Sequence, residues 1–207
     1  LGWAFVLGAI TTRLLQRAPQ VIRTSAMAAI ILISLLPNEW SPSWWLGLAF
    51  QTPSLSLQCL CVLYLYRTWR IDPAGDMLSP TSMSNIPTTW PTGLLIVAIA
   101  FGWLLALDTF ARFQLALYAV GFSPYAVLAA LLFACLLQLI STRSGHATQT
   151  RHHRELAGIV LIVILIYLFT RLPSGNLWDA LLDPWLWLWA HLLVLRRLKE
   201  LHLNRLK

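Results

Sequence analysis

The side chains with the greatest chemical potential are a few charged and amide residues set inside long apolar runs. Asp108 and Arg112 stand four residues apart in a stretch otherwise made of aliphatic and aromatic residues. At that spacing they share one face of a helix and can pair directly. A charge at the centre of a bilayer costs several kcal/mol, so an ionisable residue within a membrane helix is by default a functional hypothesis. A helix entering at Pro91 carries Asp108 about 26 Å along its axis at 1.5 Å per residue, close to the far boundary. The pair therefore reads first as an interfacial ion pair that steadies the helix, with a proton- or substrate-linked pair as the alternative.

Gln51, Ser54 and Gln58 form a second group, spaced i, i+3 and i+7 around Pro53, with Thr52 and Ser56 beside them. In lipid such groups seek partners, so their common face points at other helices or at a wet cavity. Helix–helix adhesion, at roughly 0.6 kcal/mol per hydrogen bond, is the plainer reading. A substrate-lining groove is the other, because interrupted helices with freed carbonyls mark binding sites in transporters. Asp179 and Asp183, also four apart, lie in the Trp-rich segment GNLWDALLDPWLWLWAH, Gly175 to His191. For Asp183 the cap of a helix that opens at Pro184 is the plainer reading. An outer-face acidic site for a cation or a polar headgroup, shared with Asp179, is the alternative.

Metal and haem chemistry find little to use. His146, His152 and His153 fall in a basic loop and His202 in the C-terminal tail, leaving only His191 in an apolar run. A haem clamped between membrane helices needs a histidine from each, which disfavours a b-type cytochrome. His152 and His153, flanked by Arg151 and Arg154, read as solvated loop residues. Cys59, Cys61 and Cys135 lie in apolar runs and read as small buried residues, without the His partners of a metal site. HExxH, a Gly-rich phosphate loop, GxSxG and Cys-x-x-Cys are all absent from the sequence. No metal and no cofactor is expected.

The elements that must hold these residues follow from composition. Of 207 residues, 58% are hydrophobic and 11% charged, with a mean hydropathy of +0.68. A soluble domain carries about 25% charged residues, so a soluble enzyme is excluded, and 11 Trp exclude a disordered chain. The expected fold class is all-α, a polytopic transmembrane helix bundle. A crossing helix needs about 20 apolar residues. Seven stretches qualify, with six as the lower count: Leu1–Leu15, read as the remainder of a span, Val21–Leu36, Pro42–Trp69 kinked near Thr52 by Pro53, Pro91–Val120, Pro124–Ile140, Leu156–Thr170, and the run from Pro184. Ser41–Pro42, Ser123–Pro124 and Asp183–Pro184 repeat a cap-plus-proline helix start. At about 45 Å the fourth run exceeds the bilayer core, so it must tilt, bend or project.

The charges test this topology. With the chain start outside and seven crossings, thirteen of the fifteen basic residues fall inside: Arg13, Arg17 and Arg23, then Arg67 and Arg70, then Arg143, Arg151 and Arg154, then Arg196, Arg197, Lys199, Arg205 and Lys207. Only Arg112 and Arg171 remain outside, as the positive-inside rule requires. Trp40, Trp44, Trp45 and Trp178 then mark the outer interface and Trp69 and Trp90 the inner one. The net charge of +7 is thus a record of insertion and not a footprint for nucleic acid, which needs its bases gathered on one soluble surface. Residues 71–90, rich in Pro, Ser and Thr, read as a cytoplasmic linker between a three-span group, 1–70, and a four-span group, 91–195. Residues 196–207 read as a basic amphipathic tail on the anionic cytoplasmic leaflet.

The function expected from this is a non-catalytic multi-pass subunit, an anchor or assembly partner for other membrane subunits in a bacterial inner membrane, C-terminus cytoplasmic. The alternatives are a transporter or channel component moving a small polar or lipid-linked substrate, and a membrane-embedded enzyme acting on a lipid-linked substrate. An enzyme is the less favoured class.

Overall fold

A computed structural model describes residues 1–70, 91–110, 116–143 and 147–205, and among these every regular element is a helix. The chain divides into two units, Leu1–Met77 and Leu78–Lys207.

The first unit contains α1 (Gly2–Leu14), α2 (Gln20–Ser34), a 3-10 turn (Asn38–Trp40), α3 (Pro42–Phe50) and α4 (Leu55–Arg70). Its core is one face of α1, where Trp3, Ala4, Val6, Gly8 and Thr12 are buried. Gly2 and Gly8 set how closely the neighbours approach. A Cβ on Gly2 would stand 2.8 Å from the Gln58 side chain, and one on Gly8 would stand 3.0 Å from Ile31 and 3.4 Å from Leu65. Position 2 thus meets position 58 and position 8 meets position 65, so α1 and α4 run parallel. Ser41 opens α3 as the cap-plus-proline pattern predicts: its Oγ accepts from the Ser43 amide at 3.1 Å and donates to the Ser34 carbonyl at 2.7 Å.

The kinked helix expected over 42–69 is two helices. Residues 51–54 are not helical, and Gln51 turns into positive φ, 59°. Pro53 cannot donate a helical hydrogen bond and disfavours the helical conformation at the residue before it. Both new helix ends find partners. The Trp3 indole donates to the Gln51 carbonyl at 2.6 Å, and Ser54 Oγ caps α4 by accepting the Leu57 amide at 3.1 Å.

The second unit holds α5 (Thr92–Thr109), α6 (Leu117–Val120), α7 (Pro124–Arg143), α8 (Ala147–Thr170), α9 (Leu177–Leu181) and α10 (Pro184–Arg205). Among the described residues α5, α7 and the Thr150–Thr170 part of α8 are long and apolar enough to cross a membrane. α7 and α8 form a hairpin in which Ala126, Ala130 and Ala134, each four residues on, lie buried with Ala157, Val160 and Ile164. Small residues at every fourth position let two helix backbones approach closely, the packing favoured where no hydrophobic drive separates helix from lipid. α5 and α10 are antiparallel: Trp187 Nε1 donates to the Ile99 carbonyl at 3.1 Å and Arg197 Nη1 to Thr92 Oγ1 at 2.8 Å. Gly102 makes room for Trp187, whose indole a Cβ there would overlap. Trp185 and Trp189 are exposed, as the 100° step between residues dictates.

Three further expectations are corrected. The helix expected over 91–120 ends at Thr109, and α6 starts after Ala116 in the left-handed region. The break lets the Asp108 carboxylate accept the Tyr118 amide, a free donor at the start of α6, at 2.8 Å. His152 and His153 are not solvated. Because α8 begins at Ala147 they sit on its second turn, 5% and 3% exposed, while Arg151 and Arg154 on the same turns face outward. Trp178, expected at an interface, is buried against Phe101 with ring centroids 5.1 Å apart.

Ala130→Leu forces the added bulk of a leucine side chain into the α7–α8 seam, and overpacking of this kind costs about 1–3 kcal/mol. Its thermal midpoint in mild detergent is expected to fall. Ala129→Leu, on the exposed side of the same helix, is expected to leave the midpoint unchanged, and equal behaviour of the two would contradict the seam.

Candidate functional site

The densest polar arrangement in the second unit gathers where α5 ends, α7 begins and α8 ends. Its centre is α6, a helix of four residues. The turn that follows meets part of its carbonyl end: the Gly121, Phe122 and Ser123 amides donate to the Tyr118, Ala119 and Val120 carbonyls at 3.0, 3.2 and 2.9 Å. So short a helix still leaves backbone groups to be met from outside, and the loop Gly175–Trp178 adds donors. Asn176 Nδ2 donates to the Tyr118 carbonyl at 2.9 Å, the Trp178 indole to the Leu117 carbonyl at 3.0 Å, and the Leu177 amide to the Gly121 carbonyl at 2.9 Å. Asn176 Oδ1 meanwhile accepts the Trp178 amide at 2.9 Å and so caps α9. Asn176 and Leu177 are fully buried. Gly121 is required here, since a Cβ would collide with Asn176 Oδ1 and the Trp178 ring.

Two carboxylates close this arrangement. Asp108, from the last turn of α5, accepts the Tyr118 amide, and Asp179, on α9, accepts the Tyr118 hydroxyl at 2.9 Å and the Ser174 hydroxyl. Tyr118 therefore links both acids, through its amide and its phenol. Burial pushes the Tyr118 phenol above its ordinary 10.0, and the hydrogen bond to Asp179 and that residue's charge push it further, against a smaller opposing effect of Asn176. Alongside, the buried Tyr167 hydroxyl donates to the Gly175 carbonyl at 2.6 Å and receives Arg171 Nη1 at 3.2 Å. The Arg171 guanidinium also lies 5.2 Å from the Tyr167 ring centroid.

Of the acids expected to form an outer pair, Asp179 belongs to this arrangement. Asp183 sits apart as the cap of α10, its Oδ1 accepting the Leu186 amide at 2.7 Å. Asp108 is tied to α6, while Arg112 lies outside the described residues, as do His146 and the linker 71–90. Gln51, Ser54 and Gln58, in the first unit, do not share a helical face because the helix breaks between them. Gln51 side chain is exposed, Ser54 is a cap, and Gln58 Nε2 turns back to the Pro53 carbonyl at 2.8 Å. His191 Nδ1 lies 2.8 Å from the Trp187 carbonyl, one turn earlier on α10.

Gly121 reads from sequence only as a helix stop, and it does end α6; Tyr118, Tyr167, Ser174 and Asn176 are not distinguished there. Asn176 carried a signal, since Asn followed three residues later by an acid resembles a helix-start pattern. The tyrosines carried none, as nothing local in the sequence distinguishes an interior tyrosine from an interfacial one. Chemically the arrangement is a tie. Each carboxylate is engaged by a backbone or hydroxyl donor, and among the described residues no three His, Cys, Asp or Glu side chains form a metal-holding group. Comparison with protein-family models, curated proteins and solved structures yielded no match.

Gly121→Ala is expected to lower the thermal midpoint more than Gly93→Ala, where a Cβ meets open space. The Tyr118 phenol gives a pH signature. Its folded pKa is raised, so the stability it contributes is complete below the unfolded value, about 10 for tyrosine, and is lost as pH rises through the folded pKa. The stability advantage of the natural chain over Tyr118→Phe is expected to shrink between pH 9 and pH 12 (roughly the span around that value). An advantage that grows with pH would contradict the hydrogen bond to Asp179.

Proposed function

We propose that the chain is a non-catalytic, multi-pass membrane subunit, an anchor or assembly partner within a larger inner-membrane complex. The observation that carries this reading is the surface of α5. Of its residues only Leu95 and Leu105 are buried within the chain, and its main helical partner is α10. Ile96, Val97 and Leu104 remain exposed along it. Water cannot cover such a face, so lipid or another subunit does.

The polar groups support the same conclusion. Asp108, Asp179, Asp183, Ser54 and Gln58 are occupied in caps and inter-segment ties, which leaves the site without a nucleophile paired to a base in the sense that acyl or phosphoryl transfer requires. The seven-crossing topology with a cytoplasmic C-terminus, in a bacterial inner membrane, belongs to this proposal. It takes α3 and α4 as one interrupted crossing. It draws support from helix directions, since α1 and α4 are parallel and α5 and α10 antiparallel, as alternate crossings demand.

Purification of the chain from its native membrane in mild detergent, followed by native mass spectrometry, is expected to give a complex with other chains in fixed ratio. A monomer would overturn the proposal. Within the complex, Val97→Trp is expected to displace the partner by enlarging the exposed α5 face, while helix content by circular dichroism stays unchanged. Retention of the partner would assign that face to lipid.

A further inference from the structure

Resting on the membrane reading above, we infer that the C-terminal half of α10 binds anionic phospholipid headgroups in the leaflet at which α5 begins. Sequence alone placed residues 196–207 as a tail lying on the surface. Instead α10 runs from Pro184 to Arg205 as one helix, so the basic segment continues along the axis of the apolar one. Its level in the membrane is marked by Arg197, whose guanidinium donates to Thr92 Oγ1 on the first residue of α5. α5 has 18 residues, about 27 Å at 1.5 Å each, close to the thickness of a bilayer core. Its first residue therefore stands at the polar boundary, and Arg196, Arg197 and Lys199 stand there with it.

The composition of this segment selects the ligand. Leu195, Leu198 and Leu201 are 60%, 57% and 60% exposed on one side of the helix, with exposed Arg196 and Lys199 on the side that adjoins it. Glu200 is the one acid from Leu195 to Asn204, so the segment is net positive. On a nucleic acid or an acidic soluble protein those leucines would be left in water. At a headgroup layer they reach acyl chains while the bases extend their apolar stems and hold phosphate oxygens. Arg196 and Lys199 make no hydrogen bond or ion pair with a described residue, which leaves their donors for the headgroup. The opposite end of α5 carries Asp108, near Asp179 through Tyr118, and repels the same lipids.

The test uses the purified full chain in detergent, titrated with phosphatidylglycerol or phosphatidylcholine, with retained lipids counted by native mass spectrometry. Phosphatidylglycerol is expected to be retained in preference. Each basic residue near such a surface is worth roughly fivefold, so Arg196→Gln with Lys199→Gln is expected to reduce the preference on the order of 25-fold. Arg196→Lys with Lys199→Arg is expected to restore it, which separates charge from loss of fold. Equal retention of the two lipids, or a preference untouched by the Gln pair, would overturn the inference. Inorganic phosphate and a short RNA are competitors: displacement of the lipid by millimolar phosphate alone would assign a free-anion site, and displacement by RNA a nucleic-acid surface, each against the inference. The same spectra report partner chains. Assembly without lipid preference sinks only this inference, and lipid preference in a monomer sinks only the assembly reading.

Discussion

The second unit depends on the need of α6 for hydrogen-bond partners. Four residues cannot form a self-sufficient helix, because the opening amides and closing carbonyls overlap, and the adjoining turn through Ser123 meets only some of them. In a membrane-embedded chain an unpaired backbone group costs several kcal/mol, so the groups must be met by protein. Asp108 meets the Tyr118 amide, the turn Gly121–Ser123 meets three closing carbonyls, and the loop Gly175–Trp178 adds donors to the Leu117, Tyr118 and Gly121 carbonyls. Through this one short element the end of α5, the start of α7, the end of α8 and α9 are fixed together. The absence of a side chain at Gly121 is a condition of that closure, since Asn176 occupies the space a Cβ would take.

The same constraint explains how the scarce polar residues are distributed. Ser41, Ser54, Asn176 and Asp183 each stand at a helix start and accept a backbone amide. Gln58 and the indoles of Trp3, Trp178 and Trp187 each donate to a carbonyl of a neighbouring turn or helix. Tryptophan suits this work because most of its surface is apolar and its single N–H reaches one acceptor. Helix contacts in turn rely on what is missing: Gly2, Gly8 and Gly102 admit a neighbouring side chain, and Ala126, Ala130 and Ala134 admit a neighbouring backbone. Polar side chains complete the backbone and small ones set the spacing, while large apolar faces such as that of α5 remain outside the chain's own packing.

Much of the architecture is legible in the sequence because it is written in local terms. Apolar runs of sufficient length dictate helices, and a Ser or Asp before Pro marks a helix start whatever lies elsewhere in the chain, as at Ser41 and Asp183. The sites were less legible. Asp108 and Arg112 were expected to share a helical face, but α5 stops at Thr109. Gln51, Ser54 and Gln58 were expected to share another, but Pro53 with its two flanking caps ends one helix and opens the next. In each case a periodicity of 3.6 was extended across a point where a break gained partners outside the helical repeat, Tyr118 for Asp108 and Trp3 for Gln51.

By itself the sequence determined that this is a helical chain with membrane-spanning segments, because charge fraction, run length and helix-start pairs act within a few residues and need no knowledge of neighbours. Tertiary structure decided which polar residues meet. The link from Asp108 through Tyr118 to Asp179 spans 10 and then 61 positions, and the burial of His152, His153 and Trp178 follows from which helices pack beside them. Such pairings arise from the requirement that buried polar groups, backbone and side chain, find partners. That requirement is satisfied in three dimensions, across separations at which neither residue type nor spacing carries a signal.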